Sequence, residues 1–327
     1  MDKNVYVDEL KQMDGLEVSG MFAVAKKDTI KEYRSGYFFT LTLADRTGRI
    51  EAKFWGGQDR EAVEEVYSRI STGDVIWVEG IVRSFRDTPQ LNVSLDGGNL
   101  STVPPGEYDI RDFMDVCPRD RAEMLDELKE IVSTVKDDDY RRILESFLSR
   151  KDLVEAFSET PASKVFHHSY IGGLLEHTLG VLRIAVLAAD LYEGVDRDLL
   201  ITAAALHDIG KIREYRYGAL VDYTPEGTLL GQTYLSQALV SEITEGAGGV
   251  PEEKKIKLIH LILSHHGEIE YGAFMRPKLP EGVILQYADA LDAKLKAFLE
   301  VKEEHMETEE DFVYVPRRDI NRSIYLR

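Results

Sequence analysis

From Gly15 to about Val103, apolar and polar residues alternate in short runs, each closed by turn-forming residues. A period of two marks strands with one buried face. Val18, Gly20, Phe22 and Val24 alternate in the first run, and Tyr37, Phe39, Leu41 and Leu43 in the second, which ends in the turn ADRTG. In the third, RIEAKFW, the inward set is Ile50, Ala52 and Phe54. The segment DREAVEEVYSRI then shifts to helical spacing before two further strands, DVIWVEGIVRSF and QLNVSL, joined through Arg86-Asp87-Thr88-Pro89. Pro104, Pro105 and Gly106 interrupt regular structure, and Pro118-Arg119-Asp120 punctuates the start of a helix.

Beyond that point the apolar period becomes helical. It runs through AEMLDELKEIVSTV, YRRILESFLSRKDLVEAFS, GGLLEHTLGVLRIAVLAADLY, LITAAALHDIGK, KKIKLIHLILSHHG and VILQYADALDAKLKAFL. The insert REYRYGALVDYTPEGTLLGQTYLS is less regular and suits a lid or a small hairpin, while the tail DFVYVPRRDINRSIYLR is basic and extended in character. Three strands, a helix and two more strands is the order of the OB-fold, a five-stranded Greek-key barrel that commonly binds oligonucleotides. The expected architecture is multidomain α+β: an OB-fold over 1–103, a linker over 104–120 and an all-α domain over 121–327.

If the odd-numbered residues of the second run face the barrel core, Phe38 faces out, as do Lys53 and Trp55, while Arg83 and Phe85 share a face of the fourth strand. The loop AKKDTIKEYRSG adds Lys26, Lys27, Lys31 and Arg34. Aromatic rings for stacking beside cations for phosphates are what a single-strand groove needs. Packing against a neighbouring element accounts equally well for Trp55 and Phe85.

Composition narrows the classes. A chain of 327 residues with 43% hydrophobic content suits two soluble domains. No apolar run reaches the length of a membrane span, and MDKNVYVDEL lacks a signal-peptide core. The single cysteine, Cys117, excludes an internal disulfide framework and fits a reducing cytoplasm, the expected location. The net charge of −19 lies mostly in the helical part and excludes a generally adhesive nucleic-acid binder. If the protein handles nucleic acid, it must do so through local basic patches and metal ions.

The chemistry centres on Leu199 to Lys211, where an apolar run delivers His207 and Asp208 to its end and Gly210 and Lys211 follow. Imidazole nitrogen and carboxylate oxygen suit the same mid-row divalent metals, although a buried His-Asp hydrogen bond gives the same pattern. Gly210 is expected to turn the backbone at a helix C-terminus. Three other segments answer the pair: His177, the doublet His265-His266, and Asp289 on an apolar face where an unpartnered carboxylate is costly. Ligand-type residues on four helical segments are how metal sites arise in helical cores. Asp292 is the competing carboxylate on the same face as Asp289. His260 and His305 suit helix-surface or packing roles, and a structural role suits His167 as well as a functional one.

This order resembles the HD phosphohydrolase superfamily. Together with the barrel, PASKVFHHSYIGGLLEHTLGV, LHDIGKIREY, HLILSHHGEIEYGA, YADALDAKL and the closing NRSIYLR resemble the YhaM-type 3′→5′ exoribonucleases over nearly the whole chain. The resemblance implies metal-dependent removal of nucleotides from the 3′ end of RNA, and in some members of single-stranded DNA, with the barrel holding the strand. It implies a first ion on His177, His207, Asp208 and Asp289. A second ion would share Asp208 and use His265, His266 and a histidine after a glycine, where this chain has Gly231-Gln232. Glutamine is a poor ligand for such metals, which puts the second ion in doubt. Mn²⁺ is the favoured ion, with Co²⁺, Fe²⁺, Ni²⁺ and Zn²⁺ as alternatives. Lys211 is the expected phosphate clamp and His168 a second phosphate contact or proton donor. The competing functions are a phosphodiesterase or nucleotidase for a small nucleotide, and a non-catalytic RNA-binding protein with a relict metal site. Homo-oligomerisation is left open.

Overall fold

The computed structural model describes residues 3–86, 88–94, 98–306, 308–317 and 319–327; Asp87 of the expected turn and Leu95 of QLNVSL lie outside them. Two compact units result: Met1–Asp115 with Tyr217–Asp222, and Val116–Arg216 with Tyr223–Arg327.

The first unit opens with a short helix, α1 (Val7–Leu10), followed by strands β1 (Glu17–Lys27), β2 (Lys31–Tyr33), β3 (Gly36–Asp45) and β4 (Gly48–Trp55). Helix α2 (Arg60–Ser68) then leads to β5 (Val75–Phe85), β6 (Thr88–Ser94) and β7 (Asn99–Val103). Pairing runs β1-β3-β4-β6-β5 and returns to β1, which closes a five-stranded barrel. β4 and β6 are parallel and the other barrel pairs antiparallel, the pattern of the OB-fold. Phe22, Phe39, Leu41, Leu43, Ile50, Phe54, Val78, Val82 and Leu91 fill it. Alternation holds on β4, but on β3 Thr40, Ala44 and Asp45 are buried beside the core set, and on β1 it is hidden. There Met21 and Ala23 are buried too, in a second small core with Val75, Val103 and Phe113. Two strands escaped the sequence pattern. β2, inside the expected lysine loop, pairs only with β3, and β7 pairs with β5.

The second unit is helical: α3 (Arg121–Ser133), α4 (Asp138–Ser149), α5 (Lys151–Glu159), α6 (Gly173–Leu191), α7 (Arg197–Leu206) and α8 (Lys211–Glu214). After these come α9 (Pro225–Leu230), α10 (Gln232–Ala247), α11 (Glu252–Ser264) and α12 (Pro280–Glu304). Asp120, Asp137 and Asp196 cap α3, α4 and α7 by accepting backbone N–H bonds, so part of the acidic excess satisfies helix starts. The expected all-α domain also has two hairpins: β8 (Tyr215–Tyr217) with β9 (Val221–Tyr223) in the insert, and β10 (Phe312–Val315) with β11 (Arg322–Tyr325) in the tail. α7 is buried from Leu199 to Leu206, with α6, α11 and α12 packed around it. Among the described residues no helix is long and apolar enough to cross a membrane.

Candidate metal centre and strand-binding face

α7 ends by presenting His207 at its C-cap, where the Nδ1–H donates to the Ala204 carbonyl at 2.8 Å. A carbonyl can only accept, so the tautomer is fixed and Nε2 faces inward with its lone pair. α11 repeats the device: His265 is its C-cap and Nδ1–H donates to the Ile262 carbonyl at 2.6 Å. On α6, His177 directs Nδ1 to Asp292 Oδ2 at 2.7 Å and keeps Nε2 for the centre. Such outer hydrogen bonds are how metal-ligating histidines are held in orientation.

The inward atoms converge. His177 Nε2 lies 3.4 Å from His207 Nε2, 3.3 Å from Asp289 Oδ1 and 3.6 Å from Asp208 Oδ2. His177, His207 and Asp289 therefore form one compact donor group. Asp208, His265 and His266 form another, with His265 Nε2 3.5 Å from Asp208 Oδ1. Asp208 belongs to both neighbourhoods through its two oxygens. His177, His207, Asp208 and His265 are almost wholly buried, and His265 Nε2 and His266 Nδ1 have no hydrogen-bond partner among the described residues. Orphaned buried nitrogens beside a carboxylate are costly, and a divalent cation removes that cost. The residues thus fit the metal that their chemistry suggests.

The electrostatics agree. Burial opposes ionisation of Asp208, Asp289 and Asp292, yet the surrounding cationic groups hold all three well below the usual carboxylate range. Burial pulls the His177 imidazolium down, but Asp289 and Asp292 outweigh it and hold it up at about 9. Burial drives His207 down to about 4 and His266 to about 3. Lys211 Nζ sits 2.5 Å from Asp208 Oδ2, and this attraction keeps it charged despite its burial.

Several expected roles are redistributed. Both His168 ring nitrogens are engaged: Nε2 with Asp292 Oδ2 at 3.0 Å, and Nδ1 with Glu176 Oε2 at 2.9 Å and the Tyr170 hydroxyl at 3.0 Å. His168 therefore orients Asp292, which orients His177. The His167 ring lies 5.6 Å from that of His177, as the His168 ring does, and within the field of Lys211 and Asp289. Asp292 is the outer carboxylate. The i, i+3 spacing in YADALDAKL was its signal, but sequence cannot say which of two carboxylates points inward. His260 accepts from the Lys278 N–H at 2.9 Å, and His305 Nδ1 lies 2.9 Å from the Val301 carbonyl.

Two glycines matter by close approach. A Cβ on Gly210 would stand 2.2 Å from the Ser236 nitrogen, and its φ of −62° is ordinary, so the expected turn gives way to tight packing of α8 on α10. A Cβ on Gly173 would stand 2.0 Å from the His168 carbonyl oxygen, which explains why the HHSY loop can fold onto the start of α6. Gln232 begins α10 and points into the centre. Its amide nitrogen donates to Asp208 Oδ1, and to the His207 carbonyl at 3.3 Å and Ser236 Oγ at 3.2 Å.

On the barrel, Phe38 of β3 pairs in register with Trp55 of β4, their rings stacked 5.3 Å apart, and Tyr33 meets Trp55 edge-on at 5.1 Å. Trp55 Nε1 donates to Asn92 Oδ1 at 2.7 Å. Lys53 Nζ lies 5.8 Å from the Trp55 ring and 5.4 Å from Phe85, which is largely exposed. A 510 Å³ groove lined by Trp55, Arg83 and Asn92 continues this face. Lys31 pairs in register with Phe38, and Arg34 is exposed at the tip beyond β2. Lys26 pairs with Asp28 at 2.8 Å. Lys27 turns the other way, donating to the Ile70 and Tyr67 carbonyls at 2.6 and 3.1 Å.

Residues 23–94 match the OB-fold nucleic acid binding domain model, and residues 174–294 match the HD domain model. The 3′-5′ exoribonuclease YhaM of Bacillus subtilis is 36% identical over 79% of this chain and 79% of its own. Its counterpart from Bacillus pumilus is 33% identical with the same coverage, and that from Listeria welshimeri 31%. The chain belongs to the YhaM 3′-5′ exoribonuclease family. The HD match spans His177, His207, Asp208, His265, His266 and Asp289, so every inward donor lies within it. The OB-fold match spans Phe38, Lys53, Trp55, Arg83 and Asn92 of the aromatic face.

Proposed function

We propose that this chain is a metal-dependent 3′→5′ exoribonuclease. It releases nucleoside monophosphates from the 3′ end of single-stranded RNA, with single-stranded DNA as a secondary substrate. The observation that carries the reading is the buried convergence of His177, His207, Asp208 and Asp289 from two helices and the end of a third. A divalent ion on these residues, Mn²⁺ by preference, supplies a water acidified toward neutral pH and neutralises phosphoryl charge.

The remaining roles fall to the chain itself. Asp208 and Asp289 supply the negative charge that draws a cation to the centre. His168 and Asp292 keep His177 in the tautomer whose Nε2 faces inward. Lys211 exchanges its contact with Asp208 for a phosphate oxygen of the incoming strand. His167, neutral because burial holds it at about 3, donates one N–H to the same phosphate. The barrel face of Phe38, Lys53, Trp55 and Arg83, with Lys31 and Arg34, stacks bases and meets backbone phosphates.

Purified protein incubated with 5′-labelled single-stranded RNA and Mn²⁺ should give a ladder that shortens from the 3′ end. Chelator should stop it and added Mn²⁺ restore it. Activity that survives chelation, cuts at internal positions, or turnover of small nucleotides alone would overturn the proposal.

A further inference from the structure

α12 carries Asp289 and Asp292 inward, while its outer face presents Val283, Tyr287, Leu291, Leu295 and Leu299. These form one ridge at four-residue spacing along a helix of 25 residues. α6 runs antiparallel beside it, because Glu176 meets Lys296 at 3.6 Å and Gly180 packs on Asp292. That register sets Leu187 level with the step between Val283 and Tyr287, and Leu191 just beyond Val283. Arg183, one turn before Leu187, lines the same 190 Å³ pocket as Leu295 and Leu299, so the two rows open to the same side. The seven apolar residues are each between 45% and 71% exposed.

We propose that this face is the interface with a second copy of the same chain. At about 200 Å² for a full side chain of this size, the seven offer on the order of 800 Å². A standard interface takes about 800 Å² from each partner, and the largest apolar patch of an ordinary monomer is roughly 300–600 Å². The ridge is symmetric in spacing about Leu291, so a two-fold axis there sets Leu291 on its own counterpart and Tyr287 opposite Leu295 of the other copy. Interdigitated four-residue ridges cross at about −50°, and at that angle the ends diverge and the Leu187–Leu191 row fills the flank.

Charge also selects a second copy. At a net charge of −19 two chains repel over most of their surface. Between Val283 and Leu299 the exposed positions of α12 include no carboxylate, and Lys294 is their one charge. The interface would also close the pocket in which His168, Glu176 and Asp292 meet solvent, keeping water from the hydrogen bonds that orient His177.

Light scattering during size exclusion should give wild-type protein a mass of twice the 37.1 kDa chain, or a higher even multiple. The variant Leu291→Glu/Leu295→Glu should fall to half that mass or less, with its circular dichroism unchanged. Leu291→Cys under mild oxidation should form a covalent dimer, because the native Cys117 is buried. Cysteine at Leu229, highly exposed on α9, should not. If the glutamate variant misfolds, the crosslink decides. A monomeric wild type overturns the proposal, as does a folded glutamate variant of unchanged mass or a Leu291→Cys that fails to crosslink.

Discussion

Gln232→His is the perturbation that most sharply probes the centre. Gln232 occupies the position from which a third nitrogen would complete the Asp208, His265 and His266 group, and its amide instead donates to Asp208 Oδ1. A hydrogen bond to a carboxylate is worth roughly 1.5–3 kcal/mol. An ion that draws on Asp208 Oδ1 must displace it, which weakens that ion by about ten- to 150-fold before the missing ligand is counted. Calorimetric titration of metal-stripped protein with Mn²⁺ should therefore show one tight equivalent and a second that is weak or undetectable. Gln232→Ala frees the oxygen without adding a donor, so it should strengthen the second ion by up to the same factor. Gln232→His should bring the stoichiometry to two. Two tight equivalents in the wild type, or identical isotherms for wild type and Gln232→Ala, would refute the reasoning.

The remaining predictions concern neighbouring groups. Asp292→Asn removes the carboxylate that orients His177, and such outer partners are worth about 10–100-fold in metal affinity, a loss that competition with a fluorescent chelator would read. In the metal-free protein His177 is held at about 9, above its ordinary value, so a proton competes with the ion below that pH. Apparent Mn²⁺ affinity should therefore fall as pH falls from 9 to 6, and a flat profile would show that His177 is not a ligand. Lys27→Ala removes the bonds to the Ile70 and Tyr67 carbonyls, of which Tyr67 keeps the Ile70 N–H, and should lower barrel stability by about 1–2 kcal/mol in thermal melts, with little change in RNA affinity. Lys31→Ala should do the reverse in filter binding, reducing the salt slope by about one.

Much of this was legible in the chain. Binary alternation located the five barrel strands because each turns one face to the barrel core, and on β1 it missed the second buried face, which packs in a separate small core. Helical periodicity located the long helices but joined α4 to α5. The break at Arg150 lies in its backbone, with a ψ of 89°, and leaves no mark on the apolar pattern. The residue types of the centre were visible because histidine and aspartate stand out in apolar helices. Their division into inward ligands and outer orienting groups was not, since the choice between Asp289 and Asp292 depends on helix rotation by a fraction of a turn, and the direction of His168 on its positive φ in the HHSY loop. Parity placed Phe38, Lys53 and Trp55 on one face, whereas the opposite directions of Lys27 and Lys31 depend on β2, too short to leave a periodic signal.

In the proposed division of labour, the helical centre cuts and the barrel holds the strand. The most direct test of that division compares wild type, Asp208→Ala and Trp55→Ala on a 5′-labelled single-stranded RNA and on bis(p-nitrophenyl) phosphate, both with Mn²⁺. Asp208→Ala should lose both activities. Base stacking is worth ~1–3 kcal/mol, so Trp55→Ala should lower kcat/KM on RNA by about five-fold or more and leave the small diester nearly untouched. Equal loss on both substrates in Trp55→Ala, or RNA degradation that persists in Asp208→Ala, would contradict the account.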